Sequence, residues 1–154
     1  MKYSEDGKTI EGANVAYHGA YLNGYLPTRG KTDFCLRSTA GPGRNDLHGV
    51  LLGMAAEGVN LDIYTDVRSF MIYLSNGDRY GITNGGKCCG ILSGASPGDT
   101  IRVLYDADAN TLTYYRNGHP YSNPIPLTAN LLNEKSTLRF YVMLLFSGQY
   151  SALV

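Results

Sequence analysis

Gly98-Asp99-Thr100-Ile101-Arg102-Val103-Leu104-Tyr105-Asp106-Ala107-Asp108-Ala109-Asn110-Thr111-Leu112-Thr113-Tyr114-Tyr115-Arg116-Asn117-Gly118 is the stretch that decides the fold. Ile101, Val103 and Tyr105 recur at every second residue, the period at which strand side chains share a face. Asp106–Asn110 interrupts the alternation with Asp and Asn, whose short polar side chains favour turns. Thr111, Thr113 and Tyr115 then alternate with Leu112 and Tyr114, predicting a second strand. Asn117-Gly118 closes that strand with a dipeptide suited to a type I′ hairpin turn, which needs two positive φ angles.

Similar patterns lie on both sides. Phe70, Ile72 and Leu74 alternate with Met71, Tyr73 and Ser75 before Asn76-Gly77, and Tyr80 and Ile82 follow, which predicts another hairpin. Further turn dipeptides stand at Asp6-Gly7, Asn23-Gly24 and Asn84-Gly85. The run Phe140 to Phe146 is apolar on both faces, as in a central strand buried between two sheets. Asn45, Leu47, Val50, Leu51, Met54 and Ala55 have helical spacing with Asn45 as an N-cap. Against a helix stand Gly49, Gly53 and Gly58, each costing about 1 kcal/mol relative to Ala in a helix interior. A strand over Gly49–Ala55 is therefore expected. Thr39–Asp46 and Gly85–Asp99 read as loops, because strands resume beyond them. The expectation is about ten short strands in two packed antiparallel sheets, an all-β sandwich.

Composition agrees. The chain has 13 Tyr, 19 Gly and no Trp in 154 residues, the usage of a turn-rich β domain, and its length suits one domain over residues 1–154. Thirteen Lys plus Arg balance 13 Asp plus Glu, which argues against nucleic acid or an anionic membrane as the main partner. No apolar run approaches the ~20 residues that span a bilayer. Met1–Asp6 lacks the apolar core of a secretory signal. Cys35, Cys88 and Cys89 form a poor disulfide framework, since adjacent cysteines can close only a strained ring; reduced thiols in an intracellular, cytoplasmic monomer are expected.

Motifs that carry chemistry are incomplete. Gly81-Ile82-Thr83-Asn84-Gly85-Gly86-Lys87-Cys88 nearly matches a phosphate-binding loop, but Cys replaces the hydroxyl residue. The following Cys89-Gly90-Ile91-Leu92-Ser93-Gly94 cannot open the required helix. Asp106-Ala107-Asp108-Ala109-Asn110 begins like a calcium loop, yet Thr111 stands where the sharp-turn Gly belongs and Asn117 where the bidentate Glu belongs. The cysteines lack the spacing and fourth ligand of a zinc site. His18, His48 and His119 sit in no recognisable nucleophile motif. No catalysis, cofactor or metal is expected.

The stretch 98–118 resembles the core of the SPRY domain family: a Gly-Asp opening, an apolar strand, an acidic turn, a T-L-x-F/Y-Y strand and an Asn-Gly turn. Other pieces follow in order. Ser4–Thr9 is similar to the family's opening strand and hairpin, and Asp33-Phe34-Cys35-Leu36-Arg37 to an aromatic-acidic-apolar strand. Leu51–Ala55 resembles its V-G-V-A strand, and Phe140–Gln149 its closing strand and Gly-containing turn. The Trp residues common in the family are missing, with Phe34 and Phe70 standing in their place. The resemblance implies a bent, concanavalin-like sandwich that presents loops from one edge to a protein or peptide. Such domains often serve as recognition arms of ubiquitin ligases, as adaptors, or within immune sensors and channels. It also implies either a small standalone protein or a domain cut from something longer.

By position, the resemblance puts the partner-binding regions at Tyr17 and His18 after the first hairpin, at Glu57 and Tyr64 after the Gly53 strand, and at Phe146-Ser147-Gly148 in the final turn. It leaves Arg116 on a distal hairpin. The alternatives from other classes are a lectin-like carbohydrate-binding sandwich, disfavoured by the broken calcium pattern, and a self-associating structural protein that pairs through an edge strand.

Overall fold

The computed structural model describes residues 2–6, 8–12, 18–22, 24–63, 66–80, 89–91, 93–145 and 150–154. Its thirteen described strands form two antiparallel sheets. The larger sheet runs β1 (Lys2–Tyr3), β2 (Thr9–Glu11), β13 (Tyr150–Leu153), β4 (Lys31–Ser38), β8 (Thr100–Asp106), β9 (Thr111–Arg116) and β10 (His119–Pro120), with β11 (Ile125–Pro126) also on β9. The smaller runs β3 (His18–Leu22), β12 (Leu138–Leu144), β5 (Leu51–Ala56), β6 (Ser69–Tyr73) and β7 (Arg79–Tyr80). Among the described residues helix is confined to α1 (Ala129–Leu132) and a 3-10 turn at Lys135–Thr137. No helix among the described residues is long and apolar enough to cross a membrane.

The alternation read from sequence becomes the core. Ile101, Val103 and Tyr105 of β8, Leu112 and Tyr114 of β9, and Phe34 and Leu36 of β4 turn inward from the larger sheet. They meet Leu52 and Met54 of β5, Phe70 and Ile72 of β6, and Phe140 and Val142 of β12. Phe34 and Phe140 meet as a tilted pair with ring centroids 4.3 Å apart, and Phe34 and Phe70 both serve as core aromatics in a chain without Trp. Tyr114 carries a polar tip into this core and donates its hydroxyl to the Leu52 carbonyl at 2.6 Å, tying one sheet to the other.

The smaller sheet is buried on both faces. Leu51, Ala55, Met71, Tyr73, Tyr141 and Met143 point away from the main core and form a second apolar cluster with Val59, against which Tyr21, Leu61 and Tyr80 pack. Thus β12 is central, as its apolar run predicts, but only one of its faces meets the other sheet; the second is covered by residues from the connection after β5.

Gly49–Ala55 resolves as strand β5, beginning at Leu51. Gly53 is required there: a Cβ at that position would lie 1.8 Å from the Phe70 carbonyl oxygen of the neighbouring strand. Asn117 and Gly118 both have positive φ (51° and 82°), and Arg116 pairs with His119, forming the expected two-residue I′ turn. The other hairpin differs. Tyr73 accepts no two-residue closure; its N–H bonds the Asp78 carbonyl across a longer turn, in which Asn76 Oδ1 caps the Asp78 N–H. That side-chain cap competes with the tighter turn. Of the thiols, Cys35 is free, as expected, whereas Cys89 is disulfide-bonded and departs from the expectation.

Candidate functional site

Strand register decides which segments meet. His18 stands opposite Leu144, Met143 opposite Leu51, and Leu51 opposite Tyr73. The connections that lead into β3 and β5, and out of β12 and β6, therefore emerge at one end of the smaller sheet. Of the residues singled out from sequence, Tyr17, Tyr64, Phe146, Ser147 and Gly148 lie outside the described residues, as does the Gly81–Cys88 loop. His18 is placed at this end. Glu57 is not: Ala56 pairs with Leu138, so Glu57 leaves β5 at the opposite end.

Residues 57–63 connect the two ends. Glu57 N–H donates to the Thr137 carbonyl at 3.1 Å, and Tyr25 donates its hydroxyl to the Glu57 carboxylate. Val59 and Leu61 then fill the second apolar cluster. At the far end Gly19 N–H donates to the Leu61 carbonyl at 2.6 Å, and His18 Nδ1 meets Asp62 Oδ1 at 2.8 Å. The segment is thus a strap laid across the outer face of the smaller sheet. Arg68 ties its return by donating to the Gly58 carbonyl and to Asp66. Arg139 lies over the rings of Tyr21 (4.6 Å to the centroid) and Tyr25 (5.9 Å).

The Glu57 carboxylate that accepts its hydroxyl holds the Tyr25 phenol above its ordinary value. Burial by itself would raise the Asp66 carboxyl, but hydrogen bonds from the Arg68 side chain and backbone outweigh it and leave the group low. Ile63 and Val67, on either side of residues 64 and 65, are 41% and 49% exposed, and Tyr25 is 54% exposed. The described surface near the strap is therefore apolar and aromatic, edged by charge.

A second arrangement holds the same end of the sheet from the other side. The Tyr73 hydroxyl accepts Gly49 N–H at 2.9 Å and is hydrogen-bonded with His48 Nδ1 at 2.6 Å. His48 and Tyr80 both meet the Tyr73 ring edge-on. Tyr25, Asp62, Arg139, His48 and Tyr73 were invisible as site residues in the sequence. No spacing signals that His18 and Asp62, 44 positions apart, touch.

The acidic turn and the Asn-Gly turn have other work. Asp106 Oδ1 caps the Asp108 and Ala109 N–H groups, while the Lys135 ammonium donates to the Ala107 carbonyl and the Asn110 side chain at 2.7 Å each. Among the described residues no group of three or more His, Cys, Asp or Glu could hold a metal ion. Arg116, far from the strap, is not idle: it donates to Asp99 and to the Gly94 carbonyl and lies over the Tyr121 ring.

These features define an all-β sandwich with one loop-bearing end and a strapped outer face. The fold is that of SPRY domains. The SPRY domain of human HERC1 superposes with a TM-score of 0.73 at 17% identity, covering 97% of this chain and 89% of that one. A second human SPRY domain gives 0.69 at 17% identity, covering 96% and 91%. The PSpry domain of TRIM65 gives 0.67 at 14% identity, covering 99% and 84%. No family model matches the sequence, and no curated protein does.

Proposed function

We propose that this chain is a non-catalytic protein-interaction module that presents loops from the His18 end of its smaller sheet to a protein or peptide. The observation that carries the reading is the SPRY fold, shared over nearly the whole length with three SPRY domains. The local chemistry supports it. At that end Ile63, 41% exposed beside the His18–Asp62 contact, offers an apolar surface next to polar groups, as interfaces do.

Selection of a random peptide library displayed on phage against the purified chain, beside a glycan array, tests the proposal. Peptides should be enriched, and Tyr64→Ala and Ser147→Arg should weaken their binding about tenfold or more with unchanged melting temperatures. Enrichment of no peptide together with a glycan hit would replace the reading with a lectin.

A further inference from the structure

We infer that residues 57–63 form a strap that opens as a unit without unfolding the sandwich, and that its closed state is set by the His18–Asp62 contact and by Leu61 in the second apolar cluster. The two apolar clusters differ in construction. The main core lies between sheets, and every strand that faces it is held by ladder hydrogen bonds along its length. Among the described residues outside the strands, the second cluster is covered by the strap, through buried Val59 and partly buried Leu61.

What holds the strap is local and near solvent. At one end are Glu57 N–H to Thr137 and the Tyr25–Glu57 hydrogen bond; at the other are Gly19 N–H to Leu61 and the His18–Asp62 pair, whose side chains are 36% and 72% exposed. Between them Arg68 donates to the Gly58 carbonyl. Exposed polar contacts of this kind hold only weakly, and segments with few buried apolar contacts open at lower free energy than the core. Opening breaks no strand pairing of the smaller sheet, because Gly19 makes its Leu61 contact on the side of β3 that faces away from β12. The strap ends at Asp62-Ile63, beside the His18 loop end, so closure fixes where the exposed Ile63 stands. Any use of this equilibrium in partner binding rests on the protein-interaction reading above; the opening itself does not.

Native-state hydrogen exchange on the full chain, without a partner, tests it. The reporter is the Gly19 amide, which donates to the strap; the reference is Val103, on central strand β8. Gly19 should exchange faster than Val103 and show weaker dependence on denaturant. Leu61→Ser should accelerate Gly19 at least tenfold while leaving Val103 within a factor of about three. His18→Ala, an alteration of a partly exposed side chain, should accelerate Gly19 about two- to fivefold. If Gly19 and Val103 exchange together in the unaltered protein and shift together in both variants, the strap has no opening of its own and the inference is overturned.

Discussion

The Asn117 carboxamide bridges the start of the neighbouring strand: its Nδ2 donates to Asp99 Oδ1 at 2.9 Å and its Oδ1 accepts Thr100 N–H at 2.9 Å. Asp99 and Asn117 open and close the stretch whose pattern decides the fold, and they are in contact. The Asp99 carboxylate also receives Arg116 Nε at 2.7 Å and Ser96 N–H at 2.8 Å. The acidic residue before β8 and the amide after β9 therefore fasten one hairpin from both sides.

Asn117→Ala removes two hydrogen bonds worth about 1 kcal/mol each and places a Cβ residue less suited to positive φ in the I′ turn. The expected loss is about 2–3 kcal/mol, read as a fall in melting temperature of about 5–10 °C for a domain of this size. A change under 1 °C would show that the bridge contributes nothing.

Asp99 makes stability depend on pH. Burial by itself would raise its carboxyl, but hydrogen bonds from Asn117, Ser96 and Arg116 outweigh that and hold it below the usual range. A carboxyl depressed in the folded state binds its proton more readily when unfolded. Its stabilisation is therefore present above the unfolded value of about 3.9 and lost as pH falls through the folded value. Urea unfolding at pH 6 and pH 3 should show a smaller acid-side loss in Asp99→Asn than in the unaltered chain. Equal losses would assign the acid sensitivity elsewhere.

Gly53→Ala should be among the most damaging single changes. Its Cβ would sit 1.8 Å from the Phe70 carbonyl oxygen, so paired strands β5 and β6 would have to separate, at a cost of about 3 kcal/mol or more. Gly24→Ala, with nothing within 4 Å of the added carbon, is the matched control and should melt within about 2 °C of the original. Circular dichroism melts of the two variants compare them directly.

Arg116→Ala should lower stability by about 1–2 kcal/mol through loss of the Asp99 ion pair, the Gly94 contact and the Tyr121 stack. Peptide affinity at the His18 end should be unchanged. A loss of affinity at constant melting temperature would move the interface to the larger sheet.

Tyr114→Phe deletes the hydroxyl that joins the two sheets and leaves the buried Leu52 carbonyl without that donor. Denaturant unfolding should show a loss of about 1–3 kcal/mol, with no change in the slope that reports exposed area.

Period-two alternation by itself determined β8 and β9 and which of their residues face inward, because the pleat sends successive side chains to opposite faces regardless of what lies beyond. The Asn117-Gly118 turn was equally legible, since two positive φ angles are a local demand that few residue pairs meet. The Asn76-Gly77 turn was not. A side-chain cap and the packing of buried Leu74 beyond the end of β6 selected a longer loop, and neither is encoded in the dipeptide. The second apolar cluster was equally hidden, because a strand buried on both faces does not say what covers each face. Only the tertiary structure brought His18 to Asp62, sent Glu57 to the opposite end of the sheet and laid residues 57–63 between them. Those relations depend on strand order and register, which long-range pairing sets and no local pattern carries.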